Sequence, residues 1–304
     1  MPRTQIVLQI DHHRILLGKS GDAKPFVRAV PNDADIYSKV FLARSLQNMF
    51  QYSLMMKPSD AEVLLLEDVL LPLELKQLVS RVLLETLKVS SIMFVPDVLT
   101  TCIAGGVRNA IVVDIAWEHL VIVPVFDLRI LQKQMVVSSR GGKFLHQMAG
   151  EAKQEDLVYQ IEEAGLWQKE DFAYLRNRIK KEFIGYDNEE IFDIDELPIV
   201  QMLKRVYKDL PLDIRGRLKQ RVIVTGWLST SEGFRKQLEK AICPHFSLIT
   251  SMGPWVGGSL YLEHYVDLER SQTSRKLKRC KSVDEVVLED WHLQSFRSYT
   301  RNCC

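Results

Sequence analysis

Ala110-Ile-Val-Val-Asp-Ile-Ala-Trp-Glu-His-Leu-Val-Ile-Val-Pro-Val-Phe126 reads as two apolar arms, 110–114 and 119–126, on either side of a short polar turn. Valine and isoleucine dominate both arms, and β-branched side chains suit a pleated surface, so the stretch predicts a hairpin. The same pattern stands near the start of the chain, where Ile6-Val-Leu-Gln-Ile10 and Arg14-Ile-Leu-Leu17 flank Asp11-His12-His13. Two such hairpins, each opening a run of strands and helices, point to a duplicated architecture.

Outward from the hairpins the periods alternate. A helix is predicted over 36–52 from the apolar spacing of Ile36, Val40, Leu42, Leu46, Met49 and Phe50, then a strand over 62–67. Pro72 opens a helix to Lys88 with Leu75, Leu78, Val79 and Val82 on its inner face. A strand at 92–95 and a short helix at 97–104 complete the first round. After the second hairpin the chain turns polar and helical (155–164, 171–183, 197–208), with the acidic stretch 188–196 before the last helix. The sheet pattern resumes with a strand at 221–225, a helix at 231–241, a strand at 246–249 and a helix at 254–266. Apolar strands alternating with helices predict an α/β protein with a mostly parallel or mixed sheet covered on both faces. The expected organisation is a first lobe of residues 1–104 with 252–304, a second of 105–141 with 210–251, and a helical insert of 142–209.

Composition narrows the function classes. At 304 residues, 46% hydrophobic and 26% charged, the chain buries a full core. Forty basic against 39 acidic residues leave a net charge of +1, which gives no long-range field toward nucleic acid or an anionic membrane. The longest apolar runs carry charges, so no spanning helix is expected. Five scattered cysteines, Cys102, Cys243, Cys280, Cys303 and Cys304, show no zinc-ligand spacing and suit a reducing, cytosolic compartment. Gly18-Lys19-Ser20 lacks the upstream glycine of a phosphate loop, since His13 stands there. The basic stretch Arg275-Lys-Leu-Lys-Arg279 and the terminal Cys303-Cys304 leave targeting roles open.

Several segments, in one order, carry a family resemblance. Asp213-Ile-Arg215 leads into Val222-Ile-Val-Thr-Gly226 and Gly233-Phe234, a strand, glycine turn and helix start. Trp255-Val-Gly-Gly-Ser259 follows, and Met93-Phe-Val95 through Ala104-Gly105-Gly106 precedes the second hairpin. Together these resemble the actin family over most of the chain. The resemblance implies an actin-like (ribonuclease H-like) duplicated two-lobed fold. In that family the two hairpin turns and the Gly226 turn hold a nucleotide, and Asp114, Gly142, Lys180 and Gly226 fall at nucleotide-binding positions.

The departures from the family decide the functional expectation. Only glycine lets backbone N–H groups approach phosphate oxygens closely, yet the first turn carries Asp11, His12, His13 and Arg14. The second keeps Asp114 but continues Ile115-Ala116-Trp117-Glu118 where the family has Asp-x-Gly-x-Gly, and Glu118 would repel phosphate. Trp227 replaces the second glycine of the third loop, and Asp97 stands where the family has a glutamine that orients water. No catalytic residue, metal site or required cofactor is expected; a statically bound ATP or ADP stays open.

Chain is also missing. Between Pro31 and Ile36 only Asn-Asp-Ala-Asp remains where actins insert a subdomain, and the second insert is reduced. In actins those pieces form the pointed-end face. The resemblance therefore implies a subunit that keeps the barbed-end cleft, expected at Ile103, Gly105, Trp255, Tyr261 and His264, and lacks the opposite face. Within the family this pattern implies a non-catalytic cap on the pointed end of the actin-like filament of dynactin, with the filament subunit and other dynactin subunits as partners, dynein as an indirect one, and neither nucleic acid nor membrane. A nuclear actin-related subunit of a chromatin-remodelling complex, or an ATPase of the sugar-kinase or chaperone type, are the alternatives.

Overall fold

The computed structural model describes residues 3–30, 36, 38–148, 165–185, 192–226, 228–266 and 285–287. The expected helix at 155–164, Trp227, residues 32–35, the basic stretch 275–279 and Cys303-Cys304 lie outside them. Strands β1 (Thr4–Ile10), β2 (Arg14–Lys19) and β3 (Phe26–Ala29) lead into helix α1 (Lys39–Asn48), which runs on through Met49–Ser53. Strand β4 (Ala61–Glu67), helix α2 (Leu73–Arg81, continued by Val82–Thr86), strand β5 (Ser91–Pro96) and helix α3 (Asp97–Ala104) follow. Next come β6 (Ala110–Ile115), β7 (Leu120–Phe126), β8 (Arg129–Ile130), β9 (Val136–Ser138) and the helices α4 (Gly142–Met148), α5 (Ala173–Arg178, continued by Ile179–Ile184), α6 (Ile199–Asp209) and α7 (Leu212–Leu218). Strand β10 (Val222–Gly226), helices α8 (Glu232–Ile242) and α9 (Pro254–Tyr261, continued by Leu262–Val266) and strand β11 (Glu285–Val287) complete the path.

The chain divides into two units, 1–104 with 252–304 and 105–251. The first holds a six-stranded sheet in the order β11-β5-β4-β1-β2-β3. β1, β4 and β5 run parallel, and β1-β2-β3 is an antiparallel meander. Alternation along the strands sorts the side chains. Ile6, Leu8, Ile15, Leu17, Val63, Leu65 and Ile92 face α1 and α2, where Leu42, Leu46, Phe50, Val79 and Val82 meet them. Val7, Leu16, Leu64 and Leu66 point the other way, onto Trp255 and Leu262. A sheet buried on both faces needs apolar residues at successive positions, which is why Ile6-Val7-Leu8 of β1 and Val63 to Leu66 of β4 are continuous apolar runs.

One helix face differs from the expected one. Leu75 and Leu78 are only half-buried, and Lys76 takes an inner position at 6% exposure. Its ammonium lies 2.8 Å from the buried Glu67 carboxylate and 4.2 Å from the centre of the Phe94 ring. A buried charge is tolerated when paired and held over an aromatic face, and the partner comes from a distant strand that periodicity does not see.

The second unit repeats the strand order. β7 pairs antiparallel with β6 and β9, β6 pairs parallel with β10, and Leu248 bridges Val222 of β10 in parallel. This reproduces β5-β4-β1-β2-β3 with β8 added beside β7. The strand expected at 246–249 shrinks to that bridge, held by Val222 N–H to Ser247 (2.9 Å) and Ile249 N–H to Val222 (2.8 Å). It is an edge with one neighbour and an exposed Ser247, so little burial rewards a longer ladder. Residues from the segment expected as an insert, among them Leu145, Phe183, Ile199, Met202 and Val206, share one continuous core with Ile111, Val113 and Ile122 of the sheet. β3, β8, β9, β11, α4 and α7 have no counterpart among the elements expected from sequence.

Candidate functional site

The β1–β2 turn closes on itself. Asp11 N–H donates to Arg14 O (2.9 Å), and its carboxylate accepts from Arg14 Nε (2.9 Å) and Gln9 Nε2 (3.0 Å). The His12 and His13 rings meet edge to face at 4.7 Å. A phosphate cradle needs free, convergent N–H donors and no anion among them. This turn carries instead a carboxylate held by Arg14 and Gln9, an exposed His12 and a half-buried His13.

The β6–β7 turn is filled from within its own unit. Gly142 N–H donates to Ala116 O (2.8 Å) and Lys143 N–H to Trp117 O (2.8 Å), so the first amides of α4 are occupied by the turn's carbonyls. Gly141 makes this approach possible: a Cβ there would lie 2.5 Å from His119 N and 2.6 Å from Trp117 O. Lys143 Nζ pairs with Glu118 at 3.2 Å, and Trp117 stands edge-on to His146. Neither turn fits the phosphates of a nucleotide.

Asp114 sits on β6 between Val121 and Thr225, 5% exposed. Its Oδ1 lies 2.8 Å from where a Cβ on Gly226 would stand, and Ile115 O is closer still at 2.3 Å. With φ at +79°, Gly226 is required both by conformation and by the backbone beneath it. This glycine is explained by packing alone. Of the four residues expected at nucleotide positions, the structure thus joins Asp114 to Gly226 and ties Gly142 to the turn two residues beyond Asp114. Lys180 is half-buried on Ile179–Ile184, where its carbonyl takes the Gly185 N–H (3.1 Å), and no hydrogen bond or ion pair among the described residues links it to the other three.

Sequence reasoning missed Arg140, which the same unit buries to 5% exposure. Its guanidinium stacks over Phe144 (4.9 Å) and Phe192 (4.6 Å), donates to Glu182 O and lies 3.7 Å from the Glu196 carboxylate. Arg178 holds the Glu182 side chain with two bonds, 2.9 and 3.1 Å, and this pairing lowers the Glu182 pKa. Planar guanidinium suits such stacking. Glu182 and Glu196 lie far along the chain from Arg140, so no local signal marks the residue.

In the first unit each residue of Trp255-Val-Gly-Gly-Ser259 that turns inward has a defined neighbour. Trp255, 3% exposed, donates from Nε1 to Val7 O (3.3 Å) and lies against Gly18, where a Cβ would be 2.6 Å from the indole. It is a core residue, so an accessible contact surface on this helix falls to its neighbours. Gly257 meets the backbone of Thr100 on α3, and Gly258 faces Leu66 and Val7 of the sheet. Ser259 Oγ accepts from Gly21 N–H (2.9 Å) and donates to Asp22 O (3.1 Å), pinning the β2–β3 connection. Ile103 and Tyr261 are half-buried and His264 is exposed. Gly105 opens the other unit and is half-buried there.

The sequence profile of the family described as Actin matches residues 29–193. Actin-like protein ARP10 of Saccharomyces cerevisiae is 24% identical over 282 residues, covering 90% of this chain and 92% of that protein. Actin-related protein 4 of Arabidopsis thaliana is 23% identical over 186 residues, 61% of this chain but 38% of that protein.

Proposed function

Because the chain belongs to the actin family, we propose that it is a non-catalytic actin-related subunit that caps the pointed end of the actin-like filament of dynactin and so serves dynein-dependent transport. The observation that carries this reading is an imbalance between two faces. The α3–α9 helix pair is kept down to its glycines and Ser259, while residues 30–38 are all that separates β3 from α1 in sequence, where actins carry a subdomain. Likeness to Actin-like protein ARP10 along nearly the whole of both chains supports a family member built to this reduced plan.

Function follows from the asymmetry. A terminating subunit needs one face that binds the last filament subunit and no nucleotide cycle to release it. The filled turns around Arg14 and Trp117 suit that role, and the protein is then cytoplasmic and cytoskeletal. Filament contact falls to Ile103, Tyr261 and His264, with Trp255 supporting the helix from behind.

The test is reconstitution. The purified chain should bind the actin-like subunit of dynactin and arrest filament growth at one end, and Tyr261→Asp should abolish the arrest while leaving the fold intact. Absence of binding, or an unchanged arrest by Tyr261→Asp, sinks the proposal. Chemical identification of nucleotide released on denaturation is expected to find well under one equivalent.

A further inference from the structure

Strand β3 ends the six-stranded sheet, and no strand among the described residues pairs with its far side. The register sets which backbone groups face outward. Val30 N–H donates to His13 O (2.8 Å), so the alternating antiparallel pattern makes Arg28–Ile15 and Phe26–Leu17 the hydrogen-bonded pairs. Val27 and Ala29 then turn their N–H and C=O groups away from the sheet.

Sheet edges are commonly blunted by short length, charge, proline or cover. Here the edge is apolar and open: Phe26 is 45% exposed and Val27 62%, with Tyr52 at 69% on the continuation of α1 and Met55 at 85% just after it. A surface depression of about 320 Å3, lined by Val27, Arg28, Asn48, Met49, Tyr52 and Ser53, runs beside it. The surroundings are cationic. Arg28 on β3 lines the depression, and Lys24 stands two residues before the strand.

We infer that the outer edge of β3 accepts an extended, acidic and apolar peptide segment of a partner protein as an added strand. Outward backbone groups at Val27 and Ala29 call for an extended chain, because a helix has no free ladder of donors and acceptors to offer them. The depression takes an apolar side chain from one face of that strand. Its carboxylates meet Arg28 and Lys24. A second copy of this chain is a poor occupant, since antiparallel pairing of β3 with β3 brings the Lys24 and Arg28 cations of both copies together. The surface is separate from the filament-binding helices α3 and α9, and the inference does not depend on the capping role.

Fluorescence anisotropy of a labelled acetyl-Glu-Val-Glu-Val-Glu-Val-Glu-amide probe with the full-length protein tests it. Saturable binding is expected, weakened about tenfold or more by Val27→Pro with Ala29→Pro, which removes the outward N–H groups and leaves the ladder to β2 untouched. Arg28→Glu should weaken it by a similar factor. A probe N-methylated at alternate residues should not bind, an arm that does not rely on any protein variant folding. Circular dichroism and the unfolding midpoint check each variant. The inference is overturned if the unmodified probe does not saturate, if N-methylation leaves binding unchanged, or if a Lys-Val probe binds equally well. Self-association that the probe displaces would assign the edge to a second copy and overturn it too.

Discussion

The Cα of Gly257 rests against the backbone of Thr100: a Cβ at that position would stand 1.8 Å from the Thr100 carbonyl oxygen and 2.5 Å from its carbon. Neither helix can yield at a main-chain contact without moving as a whole. Gly257→Ala should therefore cost about 3 kcal/mol or more of unfolding free energy, at the upper end of overpacking effects. Gly216, inside α7 with nothing within 4 Å of its missing side chain, is the control. Gly216→Ala should stabilise by about 0.5–1 kcal/mol in the same denaturant titration.

Gly226 separates a packing role from a nucleotide role. Its positive φ and the Ile115 carbonyl beneath it predict that Gly226→Ala destabilises the chain by about 2 kcal/mol or more, with or without added ATP. A destabilisation that appears only with ATP present would assign the glycine to nucleotide binding.

Ser259 ties α9 to the β2–β3 connection with two bonds at 2% exposure. Ser259→Ala should cost about 1–2 kcal/mol. Hydrogen exchange locates the loss, because the Gly21 amide that now donates to Ser259 should lose its protection while the amides of β4 keep theirs.

The Arg178 hydrogen bonds hold Glu182 below its ordinary carboxylate value of 4.5. A lowered folded-state pKa contributes stability that is present above the unfolded value and is lost as pH falls through the folded one. Stability measured downward from about pH 5 should therefore decline less steeply in Glu182→Gln than in the native chain.

Burial raises the Cys102 thiol to about 12, whereas Cys243 is exposed. In a chain with Cys280, Cys303 and Cys304 replaced by serine, a thiol reagent at about pH 8 should label Cys243 promptly. Cys102 should react only after denaturant is added, since the thiolate is the reacting form.

Legibility in the sequence followed the range of the interactions. Both hairpins, the helix at 97–104 and the strand at 62–67 were readable because a sheet covered on both faces imprints a continuous apolar run and a helix imprints its own period. β3 was not readable: its exposed Phe26 and Val27 at an open edge bear no burial pattern. Arg140 and Lys76 escaped for the same reason that they are stable, namely that their partners come from elements far along the chain.

At the candidate site the division is similar. The residues Asp11 to Arg14 and Ile115 to Glu118 by themselves determined that the hairpin turns lack the glycines a phosphate requires, a consequence of Cβ atoms and charge that no fold can remove. Only the tertiary structure decided what stands there instead. The amides of Gly142 and Lys143 close on the carbonyls of Ala116 and Trp117, and Gly226 and Gly257 persist because backbone lies against them. Composition and period fix which elements form; which donors remain open, and which glycines are indispensable, depends on contacts that exist only once distant segments have met.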